Sequence, residues 1–176
     1  DLKKKELYDA ITSANIPVYS MHTNFDTGKD GMNDALAEAL GLIDIKPLET
    51  CPMARGGKLK NKMDIIEFVN YAKKCLNTDY AWLINEGKKE IESVAIVGGG
   101  GSGSYKAAQF EGYDVFISGD APHHIRRDIV RDKYNYIDMP HEIERIFVKQ
   151  MSKILKNIDN NIEIIEVDHE KEPKLI

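Results

Sequence analysis

The chain has 176 residues, a formal net charge of −5 at pH 7, and 30% charged and 42% hydrophobic residues. This length and composition are typical of one soluble globular domain and exclude a largely disordered chain. No apolar run approaches the roughly 20 residues that a transmembrane helix needs, so we expect no membrane partner, and the acidic balance disfavours nucleic-acid binding through phosphate contacts.

The cysteines and the N-terminus bear on the compartment and on the completeness of the chain. Cys51 and Cys75 are widely separated and match no zinc-ribbon or redox spacing, so we expect buried free thiols in a reducing cytosol. The N-terminus shows neither a signal-peptide pattern nor a methionine. We therefore expect a cytoplasmic protein and a chain that is a processed or excised piece of something longer.

The first half of the chain carries alternating helix and strand patterns. Leu2, Leu7 and Ile11 recur at helical spacing behind a capping Asp1. The glycines within Arg55–Gly57 are expected to break the segment that contains them. The predicted elements are a helix over residues 1–14, a strand from Ile16 to Met21, a helix from Met32 to Leu40, a helix after Asp64 and a weak strand from Tyr80 to Ile84.

The second half continues the alternation. Its predicted elements are a strand from Ser93 to Val97, a short helix through Gln109, a strand from Asp114 to Ser118, a helix from Ile125 to Val130, a strand from Tyr134 to Ile137, a long helix from His141 to Leu155 and an edge strand from Ile162 to Val167. His169 is expected to be solvated in the polar tail. The alternation predicts a single α/β unit over residues 1–176, with a mainly parallel or mixed sheet flanked by helices.

Two clusters of metal-type residues follow predicted strands. His22 and Asp26 leave one strand, and His141 and Glu144 follow another. Ligands bind at strand ends in open α/β sheets, so the two clusters could meet at one edge of the sheet. The spacing of His141 and Glu144 places both on one helix face, where they can bind the same ion. The ordinary alternative is a set of residues satisfied by local hydrogen bonds and turns.

The glycine-rich segment after Val97 contains a G-x-G-x-x-G pattern at Gly98, Gly100 and Gly103. Taken alone, this pattern indicates an oxidoreductase that binds NAD or FAD. The next acidic residue at a strand end, Asp120, follows Gly119 in a loop instead of closing the second strand. We therefore favour a tight turn that lets the backbone approach a ligand.

The order of motifs resembles that of the Nif-three-like family, also known as homologues of GTP cyclohydrolase 1 type 2. The resemblance extends from about Ile16 to Leu155. The residues that carry it are His22 to Asp26, Gly31 to Asp34, Leu36 to Leu42, Arg55 to Leu59, Ser118 to Asp120 with His124, and Asp138 with His141 and Glu144.

The resemblance implies a dinuclear centre of zinc, iron or manganese in a ring-shaped homohexamer. It assigns the metal ligands to Asp26, His141 and Glu144, and catalytic pocket histidines to His22 and His124. Family members add a His-His pair from an N-terminal segment that this chain lacks, and Pro140 stands where they usually have glycine. The chain would then be the C-terminal two-thirds of a longer domain, holding one ion well, with its own missing N-terminal segment as a partner.

The function implied by the resemblance is metal-dependent hydrolysis of a nucleotide-like substrate of the GTP type, with a metal-activated water as the nucleophile. His22 or His124 would act as general acid or base. The alternative is a metal-binding scaffold or regulatory protein without turnover, whose ions hold a ring-shaped oligomer together.

Overall fold

The computed structural model describes residues 1–168, so the expectation for His169 lies outside the described residues. The helices are α1 (Leu2–Ala14), α2 (Thr23–Thr27), α3 (Met32–Ala39), α4 (Ile65–Cys75), α5 (Tyr105–Phe110), α6 (His123–Arg131) and α7 (Ile146–Ile158), with 3-10 helices at Ser102–Ser104 and His141–Arg145. The strands are β1 (Ile43–Pro47), β2 (Arg55–Asp64), β3 (Trp82–Asn85), β4 (Glu90–Ile96), β5 (Val115–Gly119) and β6 (Asn135–Met139). No helix in the described part of the chain is long and apolar enough to cross a membrane.

The strands form one six-stranded mixed sheet in the order β1-β2-β4-β5-β6-β3. Its centre is parallel, with Val115 paired to Val94 on one side and to Asn135 on the other. The pairs β1-β2, β2-β4 and β3-β6 are antiparallel. The predicted α/β class with a mixed sheet flanked by helices is therefore confirmed, and the parallel strands bring the C-terminal ends of β4, β5 and β6 to one edge.

Two predicted strands are wrong. Residues 16–21 have no regular secondary structure, and neither do residues 162–167. Both segments have the composition of a strand, yet a strand forms only where a neighbour accepts its backbone hydrogen bonds. No strand within residues 1–168 pairs with either segment.

The predicted break at Arg55–Gly57 is also wrong, because these residues begin β2. Gly56 is required there, since a Cβ at this position would lie 2.1 Å from the Tyr113 ring that packs on the strand. The strand β1 was not predicted, and the predicted long helix starts as the 3-10 helix His141–Arg145 before continuing as α7.

Apolar side chains fill both faces of the sheet. One cluster packs α3, α4 and α7 on one face and includes Leu36, Phe68 and Ile117. The other packs α5 and α6 on the opposite face and includes Tyr105 and Phe116. Adjacent residues of β5 enter opposite clusters, as the period of two along a strand requires. The two covered faces leave the strand-end loops at the sheet edge available for a site.

Asp114, just before β5, is the most fully paired carboxylate of the core, with its side chain only 2% exposed. It accepts hydrogen bonds from Lys88 Nζ at 2.5 Å, from the Glu92 backbone N–H at 2.9 Å and from the Ser93 backbone N–H at 3.0 Å. Burial by itself raises the pKa of Asp114, but these donors outweigh burial and hold the pKa below its ordinary value. Asp114 therefore joins β4 to β5 only while it is ionised.

Replacing this carboxylate by an amide, Asp114→Asn, should lower the free energy of unfolding at neutral pH by about 1.5–3 kcal/mol, the range for hydrogen bonds to a charged group. A lowered pKa stabilises the folded state above the unfolded pKa of about 3.9, and this stability is lost as the pH falls through the folded pKa. The difference between wild type and variant should therefore shrink in acid, as measured by urea unfolding across pH. Asp9→Asn, at an exposed position of α1, is the control and should change nothing. A difference that is independent of pH would contradict the assignment.

Candidate metal centre

One cavity of about 570 Å³ lies at the sheet edge where the parallel strands end. Its lining includes His22 and Asp26, which we call the first wall, and His141 and Glu144, which we call the second wall. The structure thus brings four of the five sequence-predicted site residues to one cavity. The fifth, His124, lies exposed on α6 and is not among the lining residues.

The second wall is an imidazole held between two carboxylates. His141 Nδ1 lies 2.5 Å from Asp120 Oδ2, and His141 Nε2 lies 3.3 Å from Glu144 Oε2. The hydrogen bond with Asp120 is the main cause that raises the pKa of His141, against an opposing effect of burial. With Nδ1 donating to Asp120, Nε2 of the neutral ring is left as a lone-pair donor beside Glu144.

The first wall is the short helix α2 and the residue before it. Asp26 is partly buried, and this burial raises its pKa, while the nearby His22 lowers it. His22 is oriented locally, with Nδ1 3.0 Å from Thr23 Oγ1. Phe25 is buried and meets Phe147 of α7 edge to face at 5.5 Å. This aromatic contact fixes α2 against the helix that continues from the second wall.

The glycine-rich loop after β4 also lines the cavity and lies against the second wall. Gly99 has φ +57°, and a Cβ there would lie 2.4 Å from Glu144 Oε1 and 3.0 Å from His141 Nε2. The Gly99 carbonyl accepts from the Gly119 N–H at 2.7 Å and from Ser118 Oγ at 3.0 Å. The loop thus brings its backbone close to the side chains of the second wall, and its approach to a ligand stays a prediction.

Arg55 is a structural residue of the site that the sequence did not reveal. It is 2% exposed and forms a buried ion pair with Asp34 of α3. Its guanidinium also donates to the backbone carbonyls of Thr27 at 2.9 Å, Gly28 at 3.2 Å and Pro52 at 2.8 Å. The end of α2, and with it the first wall, is therefore anchored to β2.

Asp120 was also left without a role by the sequence, although the signal was present in the Ser118–Asp120 motif. A histidine that ligates a metal usually donates its other ring N–H to a carboxylate, which fixes the ring. Asp120 supplies this contact to His141, so the second wall fits a divalent ion by its donor types and its supporting carboxylate.

Among residues 1–168, however, no group of three or more His, Cys, Asp and Glu is close enough to hold a metal. The two walls share a cavity without closing a ligand set.

The mixed sheet and this histidine–carboxylate cavity define an α/β protein with a candidate metal centre at the strand ends. The chain belongs to the Duf34/NIF3 (NGG1p interacting factor 3) family, whose model matches residues 1–173. It is 31% identical over 175 residues to a Clostridium perfringens protein named GTP cyclohydrolase 1 type 2 homolog, covering 93% of this chain and 66% of that one. A Streptococcus pneumoniae protein of the same name is 31% identical over 159 residues, covering 86% and 60%. The family predicted from the motifs is confirmed.

Solved structures agree on the fold. A Bacillus cereus protein related to NIF3 superposes with a TM-score of 0.86 at 19% identity, covering 97% of this chain and 76% of that one. Reduced HcgD from Methanocaldococcus jannaschii gives 0.68 at 29% identity, covering 86% and 60%. The chain spans only 60–66% of the length of the first two relatives, so the activity of a whole family member does not transfer directly to it.

The requirement for glycine at position 99 can be tested with a matched pair of substitutions. Gly99 and Gly112 both have positive φ, +57° and +83°, but a Cβ on Gly112 would meet nothing within 4 Å. We expect Gly112→Ala to lose about 1–2 kcal/mol of stability from its left-handed backbone alone. Gly99→Ala should lose more and should also shift the His141 ring resonances in NMR spectra. Equal losses with unchanged His141 resonances would show that the loop does not support the second wall.

Proposed function

We propose that this chain carries part of the metal-ligand set of a metal-dependent hydrolase. The hydrolase acts on nucleotide-like substrates and is related to GTP cyclohydrolase type 2. The observation that carries the proposal is that two histidines and two carboxylates, His22, Asp26, His141 and Glu144, line one cavity at the strand ends. The names of the curated relatives support the substrate class. The cavity volume lies within the range of roughly 300–1,000 Å³ usual for small-molecule sites.

In this proposal His141 and Glu144 of the second wall, together with Asp26 of the first, would hold a zinc, iron or manganese ion. When bound, such an ion acts as a Lewis acid and lowers the pKa of nearby water. Asp120 holds the His141 ring so that Nε2 faces the cavity. A second ion would require ligands beyond these three residues.

The proton-transfer role falls to His22. It lines the cavity beside Asp26, and a histidine exchanges protons near neutral pH. His124 remains the other histidine of the family motif, but its exposed position on α6 gives it no contact with the cavity. We therefore assign the general acid or base to His22 and place His124 outside the reacting groups.

A metal-binding scaffold without turnover is the second candidate. The observation that favours it is the exposed apolar surface of α1 and the residues after it, where Leu2 is 81%, Val18 67% and Tyr19 79% exposed. Apolar surface of this kind marks contact with other protein. In this case the ions would tie copies into the ring-shaped hexamer, in a cytoplasmic assembly, without catalysis.

Metal binding and turnover separate the two candidates, with Glu144→Gln and Glu142→Gln as a matched pair. Both residues lie in the same 3-10 helix, but only Glu144 lines the cavity. We expect Glu144→Gln to weaken zinc or manganese binding by about 10–100-fold in calorimetric titration, and Glu142→Gln to bind as wild type. Metal-dependent conversion of GTP, followed by chromatography, should be lost in Glu144→Gln alone.

Metal binding without conversion of GTP or any related nucleotide, in a protein that remains oligomeric, would favour the scaffold. Equal metal affinity in the wild type and both variants would show that Glu144 does not bind the metal, and it would contradict both candidate functions.

The pH dependence of metal binding tests the role of Asp120. A proton and a metal ion compete for His141, so affinity should fall as the pH drops through the raised pKa of this histidine. Asp120→Asn removes the main cause of that shift, and the pH at which affinity falls should move down. Above both pKa values the variant should still bind about tenfold or more weakly, because the ring is no longer held. An unchanged pH profile would contradict the role of Asp120.

A further inference from the structure

Asp138 of β6 is a buried carboxylate, with its side chain 4% exposed, that joins α6 to the turn after β5. Its Oδ2 accepts hydrogen bonds from Arg126 Nη2 at 2.6 Å and from Arg126 Nε at 3.1 Å. Its Oδ1 accepts from the Ala121 backbone N–H at 3.3 Å. Each oxygen of this carboxylate therefore has its own partner, one on a helix and one on the turn that carries Asp120.

The bond to Ala121 acts on Asp120, because this N–H belongs to the rigid peptide group that starts at the Asp120 carbonyl carbon. Asp120 has φ +53°, in the left-handed region that residues other than glycine seldom adopt. Such a conformation persists only where the surrounding structure imposes it. On its other side, the Gly119 N–H donates to the Gly99 carbonyl at 2.7 Å. The turn is thus held on both sides of Asp120, whose Oδ2 lies 2.5 Å from His141 Nδ1.

Arg126 is held in place by two contacts of different kinds. Besides the ion pair with Asp138, its guanidinium carbon lies 4.2 Å from the centre of the Trp82 ring, a cation–π contact. Trp82 and Asp138 are directly paired residues of β3 and β6, so both side chains lie on the same face of the sheet. Burial raises the pKa of Asp138, and the hydrogen bonds from Arg126 oppose that rise. Arg126 therefore keeps Asp138 available as an acceptor for the turn.

We propose that Asp138 is the positioning residue that aims Asp120 at His141, and that it thereby fixes which ring nitrogen of His141 carries the proton. Arg126 is the cation that holds Asp138 in this role. An aspartate suits the position because a carboxylate offers an acceptor oxygen to each partner, whereas an asparagine amide would turn a donor toward one of them. With the proton on Nδ1, the Nε2 lone pair is left for a ligand. The value of that lone pair to a metal ion rests on the proposed function, but the position of the proton does not.

The chain contains a matched control for Asp138. Asp114 is also a buried carboxylate, 2% exposed, which is paired with the cation Lys88 and accepts backbone N–H bonds. It precedes β5, at the end of the strand opposite to the cavity, and it is not among the lining residues. A loss of stability should therefore be common to the alanine variants of both carboxylates, whereas a change in the His141 ring should be specific to Asp138.

The test compares wild type, Asp138→Ala and Asp114→Ala in metal-free alkaline buffer, in which the imidazole is neutral. The NMR chemical shifts of the two ring nitrogens of His141 measure the ratio of the Nδ1–H form to the Nε2–H form. We expect the Nδ1–H form to dominate in the wild type. The ratio should fall by about tenfold in Asp138→Ala, as expected when a hydrogen bond to a charged group is lost, and it should not change in Asp114→Ala. An equal ratio in the wild type and Asp138→Ala overturns the inference, as does a fall of the same size in both variants.

A second pair of variants covers the case in which Asp138→Ala does not fold. The Arg126 side chain is 36% exposed, so Arg126→Gln should be tolerated. Arg131 of the same helix forms an ion pair with Asp128 at 3.0 Å and supplies the control. Only Arg126→Gln should lower the ratio, and equal ratios in Arg126→Gln and Arg131→Gln overturn the inference.

The result is separable from that of the proposed function, because no metal is present in the measurement. A wild-type chain that binds no zinc overturns the proposed function alone. A wild-type His141 that carries its proton mainly on Nε2 overturns the inference, whether or not the chain binds zinc.

Discussion

The buried ion pair between Arg55 and Asp34 is the contact on which the site depends. A guanidinium taken out of water is tolerated only when its charge and its donors are satisfied, and breaking such a pair costs about 3–5 kcal/mol. Here the remaining donors hold the carbonyls at the end of α2 and in the loop before β2. The same interaction therefore secures strand β2, helix α3 and the end of α2, the helix that carries Asp26. The first wall owes its position to this charge in the core, because α2 itself has only five residues.

The second wall is built differently, from the parallel centre of the sheet. Asp120 follows β5, His141 follows β6, and the glycine-rich loop follows β4, so three neighbouring parallel strands deliver their ends to one place. The absence of side chains on the loop lets its backbone lie against Glu144 and His141. An imidazole between two carboxylates is held by charge and hydrogen bonding, whereas the first wall is held by packing and by Arg55. The site thus combines two halves that are supported independently.

Much of the fold was predictable from sequence because the central strands and amphipathic helices carry clear periodicity, as around Val94, Ile117 and Phe68. Four of the residues that line the cavity, His22, Asp26, His141 and Glu144, were also identified from the sequence, since their types and motif order are distinctive. Residues 16–21 were mispredicted because pairing depends on a neighbouring strand that local composition does not report. Gly56 was wrongly predicted to interrupt its segment. The requirement for glycine at this position arises from the ring of Tyr113, 57 positions later in the chain. Arg55 was recognised only as part of a family motif and was given no role, because a polar residue shows no sign of burial in a single sequence.

The two edge strands of the sheet, β1 and β3, limit how copies of this chain can associate. Strand β1 has five residues, ends in Pro47 and pairs with an irregular register, while β3 at the other end has only four residues. Short, bulged or proline-bearing edges resist pairing with a strand from another molecule. Neither edge strand therefore offers a template for pairing with a strand of another molecule. Association should proceed through side-chain surfaces, and the fold is protected against the edge-to-edge aggregation to which open sheets are prone.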